Sequence, residues 1–208
     1  MDRYSAKKQT KEKRKTQTCK VYEVKIDRSH LSNHSLNQLV SLFREAKWYY
    51  NYCLSQKNIN DSDTTAKSVP VKVGDAFENR TFSVLTAQMK QSIKNRIFNN
   101  LSSLKALKQN GFRVGRLKFK KEVNSIPLKQ LGDNKHSGTY YLDKARSRIR
   151  IQGMKQWLRV RGLEQIADGC EIACGTLVRK CSDFYLNGNP SAMRRAGFGM
   201  RTAQSRHL

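Results

Sequence analysis

Acidic residues are scarce in this chain, and so are prolines, regularly spaced cysteines and long apolar runs. Only 16 Asp and Glu stand against 41 Lys and Arg in 208 residues, which leaves a formal net charge of +25. A compact body with that surplus repels itself until a polyanion neutralises it, and nucleic acid is the usual one. No apolar stretch approaches the ~20 residues of a membrane-spanning helix. No basic stretch carries the clean apolar face of a helix lying on a membrane. The N-terminus has charges without a following apolar region, unlike a signal peptide. The 5 cysteines follow no regular framework, as in a reducing compartment. These absences point to a cytoplasmic protein without a membrane partner.

The shortage of acids also bears on catalysis. Metal-dependent cleavage of phosphodiesters gathers several carboxylates around one or two cations. The acids here (Glu23, Asp61, Asp63, Asp75, Glu78, Glu122, Asp168, Glu171, Asp183) are mostly isolated in sequence. No Gly-x-Ser-x-Gly elbow and no phosphate-cradling glycine loop occurs. His30, His34, His136 and His207 are scattered. Cys170, Cys174 and Cys181 lack the paired C-x-x-C spacing of a zinc ribbon. Cys170, Ile172 and Cys174 share one face of a strand, which reads more simply as a buried apolar face. No catalytic residue, no metal ligand and no cofactor is expected.

What is present is ordered along the chain. Residues 1–18 form a basic arm (Lys7, Lys8, Lys11, Lys13, Arg14, Lys15) with no apolar period, expected to be disordered when free. Cys19–Asp27 alternates as a strand. A helix follows, capped by Ser32 or Ser35, with Leu36, Leu39, Val40, Phe43, Ala46, Tyr50, Cys53 and Leu54 as its buried stripe. Asn58–Lys67 reads as a loop. After Val69-Pro70 a second helix is expected from about Thr81 to Gln109, with Leu85, Met89, Ile93, Ile97, Leu101 and Leu104 as its seam and Asn110-Gly111 as its end.

From Phe112 the period becomes two. Short strands are expected over Arg113–Lys121, Asn124–Lys129 (an edge strand, because of Pro127), Thr139–Leu142, Ser147–Gln152, Trp157–Arg161, Cys170–Cys181 and Phe184–Leu186. Asn187–Leu208 has neither alternation nor seam and is expected to be a disordered basic tail. Three strands repeat one pattern, apolar on one side and cationic on the other: Arg116/Lys118/Lys120, Arg148/Arg150 and Arg159/Arg161. If they are neighbours, their cations make one patch that contacts phosphates and releases counterions. Trp157 lies on the basic side, where it can stack on a base. Lys90 and Lys94 on the second helix are further candidates for nucleic-acid binding.

The segments KVYEVKIDRSHLSNHSLNQLVSLFREAKWYYNYCLSQ (20–56), LTAQMKQSIKNRIFNNL (85–101), RVGRLKFKKEVNSIPL (113–128) and GTLVRKCSDFYLN (175–187) occur in a telling order. In that order they resemble the N-terminal half of the TnpB/OrfB family, transposon-associated RNA-guided nucleases related to type V CRISPR effectors. The carrying features are Tyr50-Asn51, Ala87-Gln88 and Lys118-Phe119-Lys120. The resemblance implies an α+β fold: a wedge-type antiparallel β-barrel (19–32 and 113–186) interrupted by a helical recognition insertion (33–112). It implies a structured guide RNA and a target DNA as partners, with Gln88, Asn124 and Ser125 at positions that read the target motif. Family members continue into a RuvC-like nuclease and a zinc ribbon; this chain runs instead into Gly188-Asn189-Pro190 and a basic tail. The expectation is therefore an insertion-sequence, transposition-type module that binds guide RNA and target DNA without cleaving it. Completion of an endonuclease by a separate RuvC subunit, or an inactive truncated copy, remain the alternatives.

Overall fold

The computed structural model describes residues 12, 17–19, 21–129, 138–166 and 171–193, with backbone alone at 17–19, 171–173 and 189–193. Ten strands and two helices occupy them. β1 (Gln17–Cys19) and β2 (Tyr22–Ile26) precede α1 (Asn33–Ser55). β3 (Ser68–Val73) and β4 (Ala76–Thr81) precede α2 (Ala87–Gln109). Then come β5 (Ser125–Lys129), β6 (Tyr140–Asp143), β7 (Arg148–Ile151), β8 (Leu158–Arg161), β9 (Glu171–Lys180) and β10 (Asp183–Met193).

Eight strands form one antiparallel sheet in the order β5-β9-β10-β2-β8-β7-β6, with β1 also paired to β10. The ends of that order nearly meet. The Thr139 N–H donates to the Lys129 carbonyl at 2.8 Å, and the Lys129 N–H donates to Thr139 Oγ1 at 2.8 Å, so β5 is stitched to the start of β6. The result is a nearly closed, barrel-like sheet. Alternation decides what fills it: Val24 and Ile26, Ile126 and Leu128, Ile149 and Ile151, Leu158 and Val160, and Phe184 and Leu186 all point inward and are buried.

The helices complete the core. Ser32 caps α1 by accepting from the Ser35 N–H at 3.1 Å, and Leu39, Leu42, Phe43, Ala46, Tyr49, Tyr50 and Cys53 form its buried stripe. α2 buries Met89, Ile93 and Ile97, one per turn. Beyond Ile97 the expected seam fails: Leu101 is exposed and Leu104 only half-buried. Glu45 of α1 sets the approach to α2. Its carboxylate is buried and accepts from the Ser83 N–H and hydroxyl on one oxygen and from the Val84 and Leu85 N–H groups on the other, at 2.6 to 3.0 Å. Gly153, at φ +87, packs so closely on the Val84 carbonyl that a Cβ there would collide with it.

Four expectations need correction. Helix does not begin near Thr81, because residues 68–81 form the hairpin β3–β4. Val69, Val71 and Val73 favour strand, and Gly74 at φ +61 takes the first central position of its two-residue turn. Arg113–Lys121 is not a strand: it has no ladder partner among the described residues, and Leu117 is half-buried while Phe119 is 65% exposed, so the faces do not alternate. The tail is ordered as far as Met193, because residues 187–193 continue β10 along β9, β2 and β1, with a register shift at Asn189/Pro190. In the same way Gln17 and Thr18 belong to β1 and not to the arm; the rest of the arm (Glu12 apart) and residues 194–208 lie outside the described residues. No helix among the described residues is long and apolar enough to cross a membrane.

Candidate nucleic-acid interface

Inward placement of Ile149, Ile151, Leu158 and Val160 forces the residues between them outward. Register then brings them together across strands. Arg148 lies opposite Arg159, Tyr141 opposite Arg150, Asp143 opposite Arg148, Lys25 opposite Arg161, and Tyr185 opposite Lys25. The cations expected on β7 and β8 therefore do share one surface, and β2 extends it. Trp157 stands just before β8, with the Arg148 guanidinium 4.6 Å and the Arg150 guanidinium 5.3 Å from its ring; Arg150 also lies 4.9 Å from the Tyr141 ring. Stacking on aromatic faces holds these guanidiniums without neutralising them.

The electrostatics of the face are mixed. Its cations are Lys25, Arg148, Arg150, Arg159, Arg161 and Lys180. Four meet a carboxylate: Arg148 with Asp143 at 2.8 Å, Arg161 with Asp27 at 3.0 Å, Lys25 with Asp183 at 2.6 Å, and Lys180 with Glu23. Arg150 touches no carboxylate among the described residues. Arg159 donates to His30 Nε2 at 3.1 Å, which places the ring proton on Nδ1, facing Asp27 at 3.1 Å. The Ser29 hydroxyl and then Arg161 hold the Asp27 carboxyl well below the usual carboxylate range against its desolvation. Hydrogen bonds from Arg148 and Lys25 do the same for Asp143 and Asp183. Of the four pairs only Lys180–Glu23 is exposed on both sides, and such a pair is weak, whereas the Asp27 carboxylate is largely buried.

Other expected site residues are placed elsewhere. Arg116, Lys118 and Lys120 are exposed on the segment that is not a strand. Its anchor is on α1, where the Asn51 amide both accepts from and donates to the Lys120 backbone at 2.9 and 3.0 Å. The third limb of the expected patch is thus missing. Lys90 is only 4% exposed: its ammonium donates to the Ala66 carbonyl at 2.6 Å and sits 3.9 Å from the Phe82 ring centre. Lys94 donates to the Asn60 and Ser62 carbonyls. Both hold the loop before β3 and are withdrawn as phosphate contacts. Asn124 accepts from Arg179 and Ser125 from Arg96, so both are engaged internally. Gln88 is half-buried on the first turn of α2, about 12 Å along the axis from Arg96, and its Oε1 has no partner among the described residues. The three residues expected to read a motif are not gathered. Cys174 is exposed, contrary to its expected buried face, while Cys170 and the side chain of Ile172 lie outside the described residues.

Sequence reasoning missed Lys25, Tyr141 and Lys180 on this face. The alternation of Glu23 and Lys25 against Val24 and Ile26 already carried the signal for the first. Compared with known proteins, the chain matches no family and no curated protein.

Proposed function

We propose that this chain is a nucleic-acid-binding module of TnpB/OrfB type. Its sheet acts as the wedge-type barrel, residues 33–112 as the helical recognition insertion, and the outer face of β6, β7, β8 and β2 as the surface that takes phosphates of a structured guide RNA or target DNA. The observation that carries this reading is the cross-strand pair Arg148–Arg159, with Arg150 beside it. Like charges directly opposite each other destabilise a sheet, a cost that Asp143 beside Arg148 offsets only in part. A phosphate chain laid over them removes that cost and releases counterions. Trp157 and Tyr141 supply flat surfaces at the same place. Phosphate contacts position a nucleic acid without reading its sequence; Gln88, on the first turn of α2, is the residue left to read a motif, for which its buried Oε1 must turn outward.

The test is an electrophoretic shift with structured RNA and with duplex DNA across a salt series. Affinity is expected to fall linearly in log–log form as salt rises. Arg148→Glu with Arg150→Glu is expected to weaken binding to all sequences alike, whereas Gln88→Ala changes preference more than affinity. Absence of any shift at low salt refutes the proposal.

A further inference from the structure

A second surface lies away from the arginine face. A groove of about 420 Å³ runs between the C-terminal half of α1, the hairpin β3–β4 and the segment ending at Lys120. That volume falls in the ordinary range of small-ligand clefts, ~300–1,000 Å³. Trp48, Tyr52, Phe77 and Phe119 line it, together with Lys47, Lys72 and Lys120, and no Asp or Glu does.

Two of these aromatics are held open: Phe77 is 72% exposed and Phe119 65%. Trp48 and Tyr52 are half-buried, with Arg44 5.6 Å from the Trp48 ring centre and Tyr52 packed on Tyr49. Phe119 is fixed by its neighbour: Lys120 has no strand partner, and the Asn51 amide satisfies both its N–H and its carbonyl. Phe77 is fixed by the hairpin, in register with Lys72, so an aromatic ring and an ammonium share one face of it. Exposed apolar patches of this kind mark binding surfaces.

The charge selects the occupant. Aromatic walls alone suit a peptide or an apolar small molecule. Three lysines without a carboxylate in the lining favour an anion as well, Lys120 from its place 4.5 Å from the Tyr50 ring centre. Unpaired nucleotides meet both demands, offering π faces to stack and a phosphate per residue; a duplex keeps its bases stacked inside.

We propose that this groove binds single-stranded nucleic acid by stacking unpaired bases on Trp48, Tyr52, Phe77 and Phe119 while Lys47, Lys72 and Lys120 take the phosphates. The site deepens the nucleic-acid reading above but uses none of the arginine-face residues, so the two fail separately. The protein has 2 tryptophans, one at each surface. Trp157→Phe leaves Trp48 as the only indole, reporting the groove; Trp48→Phe leaves Trp157, reporting the arginine face.

Each single-tryptophan protein is titrated with short oligothymidylate, with the corresponding duplex, with heparin as a polyanion lacking bases, and with phosphatidylserine vesicles. Trp48 emission is expected to be quenched by the single strand and far less by duplex or heparin. Phe119→Ala, at an exposed position, is expected to weaken that single-strand affinity roughly 5- to 150-fold, with an unchanged circular dichroism spectrum. Equal quenching of Trp48 by heparin overturns the stacking claim. A response to vesicles alone overturns it in favour of an acidic lipid surface. Silence at Trp48 with quenching at Trp157 removes the groove and keeps the arginine face; silence at both removes both.

Discussion

Among the described residues, Arg150 and Arg159 are face cations of β7 and β8 that touch no carboxylate, and that asymmetry makes a sharp prediction. Changing both to Ala removes the guanidiniums most available to phosphate. Each phosphate contact contributes ~0.9 to the slope of log affinity against log salt on duplex DNA and ~0.7 on a single strand. Losing two should lower the slope by ~1.8 and, at 0.1 M salt, weaken duplex binding roughly 60-fold, or about 25-fold for a single strand. The converse change is Asp143→Asn. Asp143 accepts from the Arg148 guanidinium at 2.8 Å and from the Arg146 N–H at 3.2 Å. An asparagine keeps an oxygen for the turn but gives up the charge, freeing Arg148. One added contact should raise the slope by ~0.9 and strengthen duplex binding about 8-fold at 0.1 M salt. Fluorescence anisotropy over a salt series reads both. If the two variants do not move in opposite directions, the face is an ordinary solvated surface and the phosphate assignment is wrong.

Two further outcomes concern the frame beneath the sites. Glu45→Gln keeps one acceptor oxygen for the buried Val84 and Leu85 N–H groups and turns an NH₂ toward Ser83, whose hydroxyl can accept it, so the Ser83 N–H loses its partner. This costs about 1–3 kcal/mol, a sizeable share of ordinary domain stability; urea unfolding followed by circular dichroism should show it, and no measurable loss would contradict the hydrogen-bond count. Asp27, Asp143 and Asp183 all have carboxyl pKa values depressed in the folded state. A depressed carboxyl contributes stability above its unfolded pKa of ~3.9 and loses it as pH falls through the folded value. The thermal midpoint should therefore drop as pH falls below about 4, and less steeply in Asp27→Asn; identical slopes would count against the Ser29–Asp27–Arg161 cluster.

Side-chain period made much of the barrel legible. Alternation in Arg148–Ile151 and Leu158–Arg161 has one solution when one face must be buried, and the arginines followed. α1 was legible for the same reason, since its buried stripe repeats at helical spacing for about four turns from Leu39 to Cys53, although Val40, expected in it, is exposed. The failures have a common cause: extended backbone that lacks, or unexpectedly gains, a partner. Arg113–Lys121 carries strand-like alternation, but nothing among the described residues pairs with it, and one asparagine side chain serves instead. Residues 187–193 look like tail because Gly188, Asn189 and Pro190 are poor strand formers, yet β9 and β1 flank them. Lys90 shows a different limit. A lysine at a helix position reads as solvent-facing until a loop carbonyl and a phenyl ring are found above it, and those come from residues 66 and 82.

β10 lies between β9 and β2, and Asp183 meets Lys25 across 158 residues of chain. Nearly everything that covers the apolar side of β2 and α1 is therefore synthesised after them. Until the ribosome has passed Met193, β2 has only β8 of its two sheet neighbours to pair with. Long-range pairing of this sort slows folding and prolongs the time during which sticky surface and open strand edges are exposed. Nascent-chain yield should depend on chaperone supply, and a message interrupted before codon 183 should give an insoluble product instead of a smaller domain.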